Sequence, residues 1–192
     1  MTFASKITIT RILMVPVYAL LALAYGRSVA SGVSDETLRW WALGVFVSAA
    51  GSDGIDGWVA RRFNQISKLG AFIDPIADKG LLLAGIITLS VSNWQYEFPV
   101  WFPVLVISRD LILLVGTVLI HMLAGKMVPR PRFVGKCATL FQMITLGWVL
   151  LKVHQPSYLW PLYAAGFFTL VSGIWYIFDG VRQLSAHEAK KS

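Results

Sequence analysis

Six stretches of the chain are apolar over close to the roughly 20 residues that a helix needs to cross a bilayer. Polar and charged residues gather between these stretches, and no internal repeat, low-complexity tract or domain linker interrupts the pattern. We therefore predict an all-α integral membrane bundle that forms a single transmembrane domain over residues 1–192. Its six transmembrane helices are predicted over residues 7–25, 39–61, 70–92, 101–124, 133–153 and 158–181.

The composition excludes an ordinary soluble domain, because 56% of the residues are apolar and only 14% are charged. The net charge of +7 comes from 17 Lys and Arg against 10 Asp and Glu. In a membrane protein such an excess indicates topology, and we expect no nucleic-acid partner. The single cysteine, Cys137, excludes an internal disulfide and a cysteine metal cluster.

The basic residues predict the orientation of the bundle. The N-terminus, the second and fourth connections and the C-terminal tail together carry twelve Lys and Arg, whereas the opposite connections carry three. Both termini should therefore be cytoplasmic, which in a bacterium means an inner-membrane protein. A cleaved signal peptide is the alternative for the first segment, but six helices with both ends inside require it as a span.

Four carboxylates stand inside this apolar sequence: Asp53, Asp56, Asp74 and Asp78. Each costs at least about 2.5–3.5 kcal/mol at the centre of a membrane helix, so a functional reason is expected for it. The first two are three residues apart and the last two four apart, so each pair shares one helix face. The polar residues 61–68 predict a turn that sets the two acidic faces against each other near the cytoplasmic surface.

A ligand set of carboxylates that contains no His or Cys favours Mg2+ or Mn2+ over zinc, and four carboxylates carry enough charge for two ions. Such ions are commonly completed by substrate phosphates, so a diphosphate is the expected ligand. Small residues nearby, Gly57, Ala60 and Gly70, allow close approach of helices or ligand, and Arg61 is suited to a phosphate. Four structurally satisfied aspartates and a divalent-cation transporter are the alternatives.

These residues resemble the signature of the CDP-alcohol phosphotransferase family. Eight residues separate its two halves, Asp53-x-x-Asp56-Gly57-x-x-Ala60-Arg61 and Gly70-x-x-x-Asp74-x-x-x-Asp78. The resemblance implies an enzyme that transfers the phosphatidyl group of CDP-diacylglycerol to an acceptor hydroxyl and releases CMP.

The resemblance also implies roles for the individual residues, and a homodimer. The four aspartates would bind the metal ions, and Asp78 would also be the catalytic base. The donor lipid would be bound by Gly57, Ala60, Arg61 and Gly70. At the start of the first span, Thr8 and Arg11 match family positions, although Ser5 stands where related enzymes often have asparagine. The alternative for Arg11 is a side chain that extends to the lipid headgroups.

Arg109 and Lys136 are the candidate acceptor-binding residues, since a cation could hold the phosphate of the second substrate. A structural pairing with Asp110 or with a site carboxylate is the alternative for Arg109, and a topological role is the alternative for Lys136. The sequences 107–110 and 131–136, followed by Thr139 and Gln142, resemble cardiolipin synthases (CMP-forming) more than phosphatidylglycerophosphate synthases. The expected acceptor is therefore phosphatidylglycerol, with glycerol 3-phosphate as the alternative.

Overall fold

The computed structural model describes residues 3–63, 68–94, 96–124, 133–152 and 159–188, without the side chains of 3–8, 53–63, 68–78, 119–121, 123–124 and 183–188. The predicted all-α fold is confirmed, and each predicted span corresponds to one helix. Within the described ranges there are six helices and no strand: α1 (Phe3–Ala30), α2 (Glu36–Phe63), α3 (Lys68–Val91), α4 (Trp101–Ala124), α5 (Phe133–Leu150) and α6 (Leu159–Glu188).

The helices have the composition of a membrane bundle. Among the described residues, four stretches are long and apolar enough to cross a membrane: Ile9–Ala30, Trp101–Val118, Phe133–Leu150 and Leu159–Arg182. The described part of α3 adds a shorter apolar stretch, Lys79–Val91. Large apolar side chains such as Leu20, Leu114 and Phe167 are exposed on the outer faces of these helices. Helices that are apolar on their outer as well as their inner faces are typical of an integral membrane protein.

The chain divides into two compact units, which we call unit 1 and unit 2. Unit 1 comprises residues 1–99 and 146–153, and therefore contains α1, α2, α3 and the end of α5. Unit 2 comprises residues 100–145 and 154–192, and contains α4, α6 and the larger part of α5.

In unit 1, α1 packs against both α2 and α3. The indole Nε1 of Trp94 donates a hydrogen bond of 3.0 Å to the carbonyl of Ala22, which connects the residues after α3 to α1. A Cβ added at Gly26 would lie 2.6 Å from the Cβ of Ser92, closer than packed atoms can be. Only glycine at this position lets α1 come so near to the end of α3.

A cluster of charges connects the start of α2 to the end of α5 within unit 1. Glu36 accepts hydrogen bonds from Arg39 Nε, at 2.6 Å, and from Lys152 Nζ. Arg39 also donates through Nη1 to the carbonyl of Leu150, at 2.9 Å. That carbonyl belongs to the last turn of α5, where the helix itself offers no donor. Lys152 has a left-handed backbone with φ of 53°, which ends the helix there.

In unit 2, α4 packs along α6. The ring of Trp101 lies directly over Gly166, where an added Cβ would come within 2.9 Å of the indole. Residues 133–145 of α5 join α6 through the Gln142 side chain, whose Nε2 donates to Thr169 Oγ1 at 2.8 Å. Both of these polar side chains are buried, so the hydrogen bond satisfies groups that neither lipid nor protein carbon could satisfy.

The charge cluster of unit 1 predicts a stability that depends on pH. The hydrogen bond from Lys152 holds the pKa of the Glu36 carboxyl below its usual value of 4.5. A lowered pKa means that the ionised carboxylate stabilises the fold; this contribution is present above pH 4.5 and lost as the pH falls through the folded value. Because the side chain is 43% exposed, the contribution is at most about 1 kcal/mol.

We therefore expect Glu36→Gln to lower the melting temperature of the detergent-solubilised protein at neutral pH and to lower it less at about pH 3.5. Thermal unfolding at both pH values measures this. Glu97→Gln, the same change at another exposed carboxylate of unit 1, is the matched control. An equal loss at both pH values would contradict an ionic contribution from Glu36.

Candidate active site

The residues predicted to bind the metal ions and the donor lie on the end of α2 and the start of α3. Asp53 and Asp56 belong to α2, and Asp74 and Asp78 to α3. Their side chains lie outside the described residues, as do those of Gly57, Ala60, Arg61 and Gly70. Among the side chains that are described, no group of three or more His, Cys, Asp or Glu could hold a metal ion. The metal-site assignment therefore stays a prediction.

The helices that carry the four aspartates run in opposite directions beside α1. Arg11 of α1 contacts Ser52 of α2, and Tyr18 contacts Phe46 with ring centroids 5.6 Å apart, so α1 and α2 are antiparallel. The C-terminal parts of α1 and α3 meet at Gly26, so these two helices are parallel. The end of α2 and the start of α3 therefore belong to the same end of unit 1, the end at which Arg11 lies.

Arg11 is buried at this end of unit 1, with 1% of its surface exposed. Its Nε donates to Ser52 Oγ at 3.3 Å, and that hydroxyl donates to the carbonyl of Ala49 at 2.7 Å. The alternative in which Arg11 extends to the lipid headgroups is therefore wrong: the side chain turns into the bundle. The serine that Arg11 contacts directly precedes Asp53 in the sequence. A buried guanidinium at this place is a functional candidate, which the sequence alone left undecided.

Arg109 lies on α4 and is held by two polar side chains of unit 2. Its Nη1 donates to Asp110 Oδ1 at 2.8 Å, and its Nη2 donates to Ser172 Oγ of α6 at 2.9 Å. The side chains of Arg109 and Asp110 are each only 16% exposed. The pairing with Asp110 that the sequence left open is therefore present, and a bond to α6 accompanies it.

The other candidate for acceptor binding, Lys136, lies on α5 next to the glycine that the Arg109 guanidinium approaches. A Cβ at Gly135 would lie 3.0 Å from Arg109 Nη2. Lys136 itself is exposed, and Thr139, one turn later, donates from its hydroxyl to the Gly135 carbonyl at 3.1 Å. The structure thus brings Arg109 to the α5 segment that carries Lys136.

Sequence reasoning missed Ser52 and Ser172, which contact Arg11 and Arg109. Neither has a motif, and a lone serine in an apolar helix commonly donates to its own backbone. The two serines could be found only as partners of the arginines, because a buried arginine in a membrane bundle requires a polar partner on another helix.

Comparisons with known proteins agree with the signature in α2 and α3. The sequence model described as CDP-alcohol phosphatidyltransferase matches residues 1–177. The chain is 32% identical over 184 residues to a "Probable phosphatidylglycerophosphate synthase" of Mycobacterium tuberculosis, covering 94% of this chain and 82% of that protein. It is 33% identical over 182 residues to a Bacillus subtilis protein named "CDP-diacylglycerol--glycerol-3-phosphate 3-phosphatidyltransferase", covering 88% and 90%.

Another relative matches the chain over a shorter length. Over 114 residues the chain is 36% identical to a "Cardiolipin synthase (CMP-forming)" of Streptomyces coelicolor, which covers 58% of this chain and 50% of that protein. The family match nevertheless extends over most of the sequence and includes all four aspartates. The chain therefore belongs to the CDP-alcohol phosphatidyltransferase family.

Proposed function

We propose that this enzyme transfers the phosphatidyl group of CDP-diacylglycerol to the hydroxyl of glycerol 3-phosphate and releases CMP. The observation that carries the proposal is the similarity to the Mycobacterium tuberculosis and Bacillus subtilis proteins, which spans 94% and 88% of the chain. This acceptor is the alternative that the sequence motifs ranked second, and the breadth of these two matches favours it over phosphatidylglycerol.

Phosphatidylglycerol remains the second candidate acceptor, which would make the protein a cardiolipin synthase. Two observations favour it: the motif with Asp110 directly after Arg109, and the similarity to the Streptomyces coelicolor protein, which is higher in identity but covers 58% of the chain. The two acceptors differ in charge and in size. Glycerol 3-phosphate is a water-soluble phosphate monoester, whereas phosphatidylglycerol is a phosphodiester with two acyl chains.

The donor diphosphate would be held by the residues of the family signature. Asp53, Asp56, Asp74 and Asp78 are hard oxygen donors and fit two Mg2+ or Mn2+ ions, whose charge would offset that of the diphosphate. Arg61 would donate to a phosphate oxygen, with Gly57, Ala60 and Gly70 leaving room for the nucleotide and lipid.

The chemical step would need one proton acceptor. Asp78 would take the proton of the acceptor hydroxyl while its oxygen attacks the lipid-linked phosphorus. The bond between that phosphorus and the bridging oxygen breaks, and CMP leaves with the electron pair. Arg109 and Lys136 are the residues that we propose for binding the phosphate of the acceptor.

The orientation and assembly that we propose rest on the charges and on the family. Twelve basic residues on one side against three on the other favour cytoplasmic termini and a cytoplasmic site in a bacterial inner membrane. Water-soluble substrates would then reach the site directly, while acyl chains stay in lipid. A homodimer rests on the resemblance to the family alone.

The acceptor is tested by CMP release from CDP-diacylglycerol with purified protein and Mg2+ or Mn2+. We expect glycerol 3-phosphate to support CMP release and to yield a lipid with two phosphates, identified by mass spectrometry. Phosphatidylglycerol in the same assay is the comparison. Release with phosphatidylglycerol alone would replace the first acceptor by the second, and release with neither would contradict the proposed function.

The role of Asp78 is tested by Asp78→Asn, which keeps the size of the side chain and removes its basicity. We expect kcat to fall by a factor of about 100 to 10,000 while donor binding changes little. Asp35→Asn is the matched control, because Asp35 caps α2 by accepting from the Thr37 amide at 3.0 Å and asparagine caps helices equally well. Near-normal turnover in Asp78→Asn would remove this residue as the base.

A further inference from the structure

The Arg109 side chain passes between α5 and α6 of unit 2 at a place where both helices have glycine. A Cβ added at Gly135 of α5 would lie 3.0 Å from Arg109 Nη2, and one added at Gly173 of α6 would lie 3.5 Å from Arg109 Cγ. The stem of the arginine thus lies against one glycine and its guanidinium against the other. A larger residue at either position would occupy space that the arginine now uses.

Two side chains fix the guanidinium from different helices. Asp110 follows Arg109 on α4, whereas Ser172 is on α6 and accepts from Nη2 at 2.9 Å. The bond to Asp110 leaves the arginine free to move with its own helix, because both partners belong to α4. The bond to Ser172 is the one that fixes the guanidinium relative to a second helix, and the hydroxyl adds no charge.

The guanidinium keeps donors that these two bonds do not use. An arginine has five N–H groups, and one on Nη1 and one on Nη2 are engaged by Asp110 and Ser172. Nε of Arg109 is buried and has no hydrogen-bond partner among the described residues. A buried donor without a partner is costly, and an anionic oxygen is the ligand that would satisfy it best.

We propose that Ser172 is a positioning residue for the acceptor phosphate: its hydroxyl holds the Arg109 guanidinium over Gly135 so that the remaining N–H donors meet a phosphate oxygen. This inference rests on the proposed function, in which Arg109 binds the acceptor. The ligand is a phosphate group, either the monoester of glycerol 3-phosphate or the diester of phosphatidylglycerol. Gly135 contributes by leaving the space that the guanidinium fills.

Ser172→Ala tests the hydroxyl. We expect the KM for the acceptor to rise about tenfold, as for loss of a hydrogen bond to a charged group, with the KM for CDP-diacylglycerol unchanged. Ser172→Thr keeps the hydroxyl and should stay within about threefold of the wild type. The matched control is Thr169→Val, which removes a buried hydroxyl one turn away on α6 that contacts Gln142.

A merely structural role for Ser172 predicts a different result. In that case Ser172→Ala and Thr169→Val would lower the melting temperature alike and leave the acceptor KM alone. In an Arg109→Lys background, where the fork of donors is gone, the effect of Ser172→Ala on the acceptor KM should shrink to less than about twofold. An undiminished effect there, or an unchanged acceptor KM in Ser172→Ala itself, overturns the proposal.

Gly135→Ala tests the space beneath the guanidinium. The added methyl would meet Nη2 at 3.0 Å, so we expect the acceptor KM to rise by about threefold to tenfold through displaced hydrogen bonds. Gly147→Ala is the matched control on the same helix, because a Cβ there meets no described atom within 4 Å. Equal kinetics of the two variants would show that the space at Gly135 has no role.

Direct titration of glycerol 3-phosphate and of phosphatidylglycerol onto the protein distinguishes this inference from the proposed function. Binding without CMP release contradicts the proposed transfer and leaves the positioning role to be judged by the weaker binding expected of Ser172→Ala. CMP release with equal acceptor binding in wild type and Ser172→Ala contradicts the positioning role alone. A wild-type protein that binds neither acceptor overturns the positioning role as well.

Discussion

A charged side chain inside a membrane bundle requires polar partners, and this requirement determines which helices pack together within each unit. Among the described side chains, three arginines that are buried or partly buried each reach a polar group on another helix. The contacts are Arg11 with Ser52, Arg39 with the Leu150 carbonyl, and Arg109 with Ser172. In a medium where apolar contact offers little preference for one helix over another, such polar contacts specify which helices meet.

The helices were predictable from the sequence, whereas some of their ends were not. The prediction for α4, residues 101–124, agrees with Trp101–Ala124, because hydropathy changes sharply at both limits. α6 continues beyond the predicted end at residue 181 to Glu188, since a helix can leave the apolar layer without ending. α5 ends at Leu150 rather than at 153, because Lys152 adopts a left-handed backbone that no hydropathy pattern reveals.

The enzyme class was predictable because it depends on local spacing. The four aspartates and Arg61 lie within 26 residues of the sequence. The family match confirms the enzyme class that they indicated, in preference to a cation transporter. Arg109 was identifiable as an unusual charge, but its partner Ser172 is 63 residues away in sequence. Such a contact depends on how α4 and α6 pack, and spacing along one helix cannot predict it. The acceptor that we propose likewise rests on relatives that match most of the chain and not on one local motif.

If Arg109 binds the acceptor as proposed, its ion pair with Asp110 has a consequence for selectivity. Bacterial membranes are rich in anionic headgroups, and a lone cation within a bundle would attract them indiscriminately over a distance of several ångströms. Paired with a carboxylate at 2.8 Å, the guanidinium belongs to a pair without net charge, whose field falls off faster with distance than that of a lone cation. An anion must therefore come into direct contact, with its oxygens correctly oriented, before it competes with Asp110. In the proposed role of Arg109, the pair would therefore disfavour the headgroups of the bulk lipid and still recognise one phosphate by the geometry of its contacts.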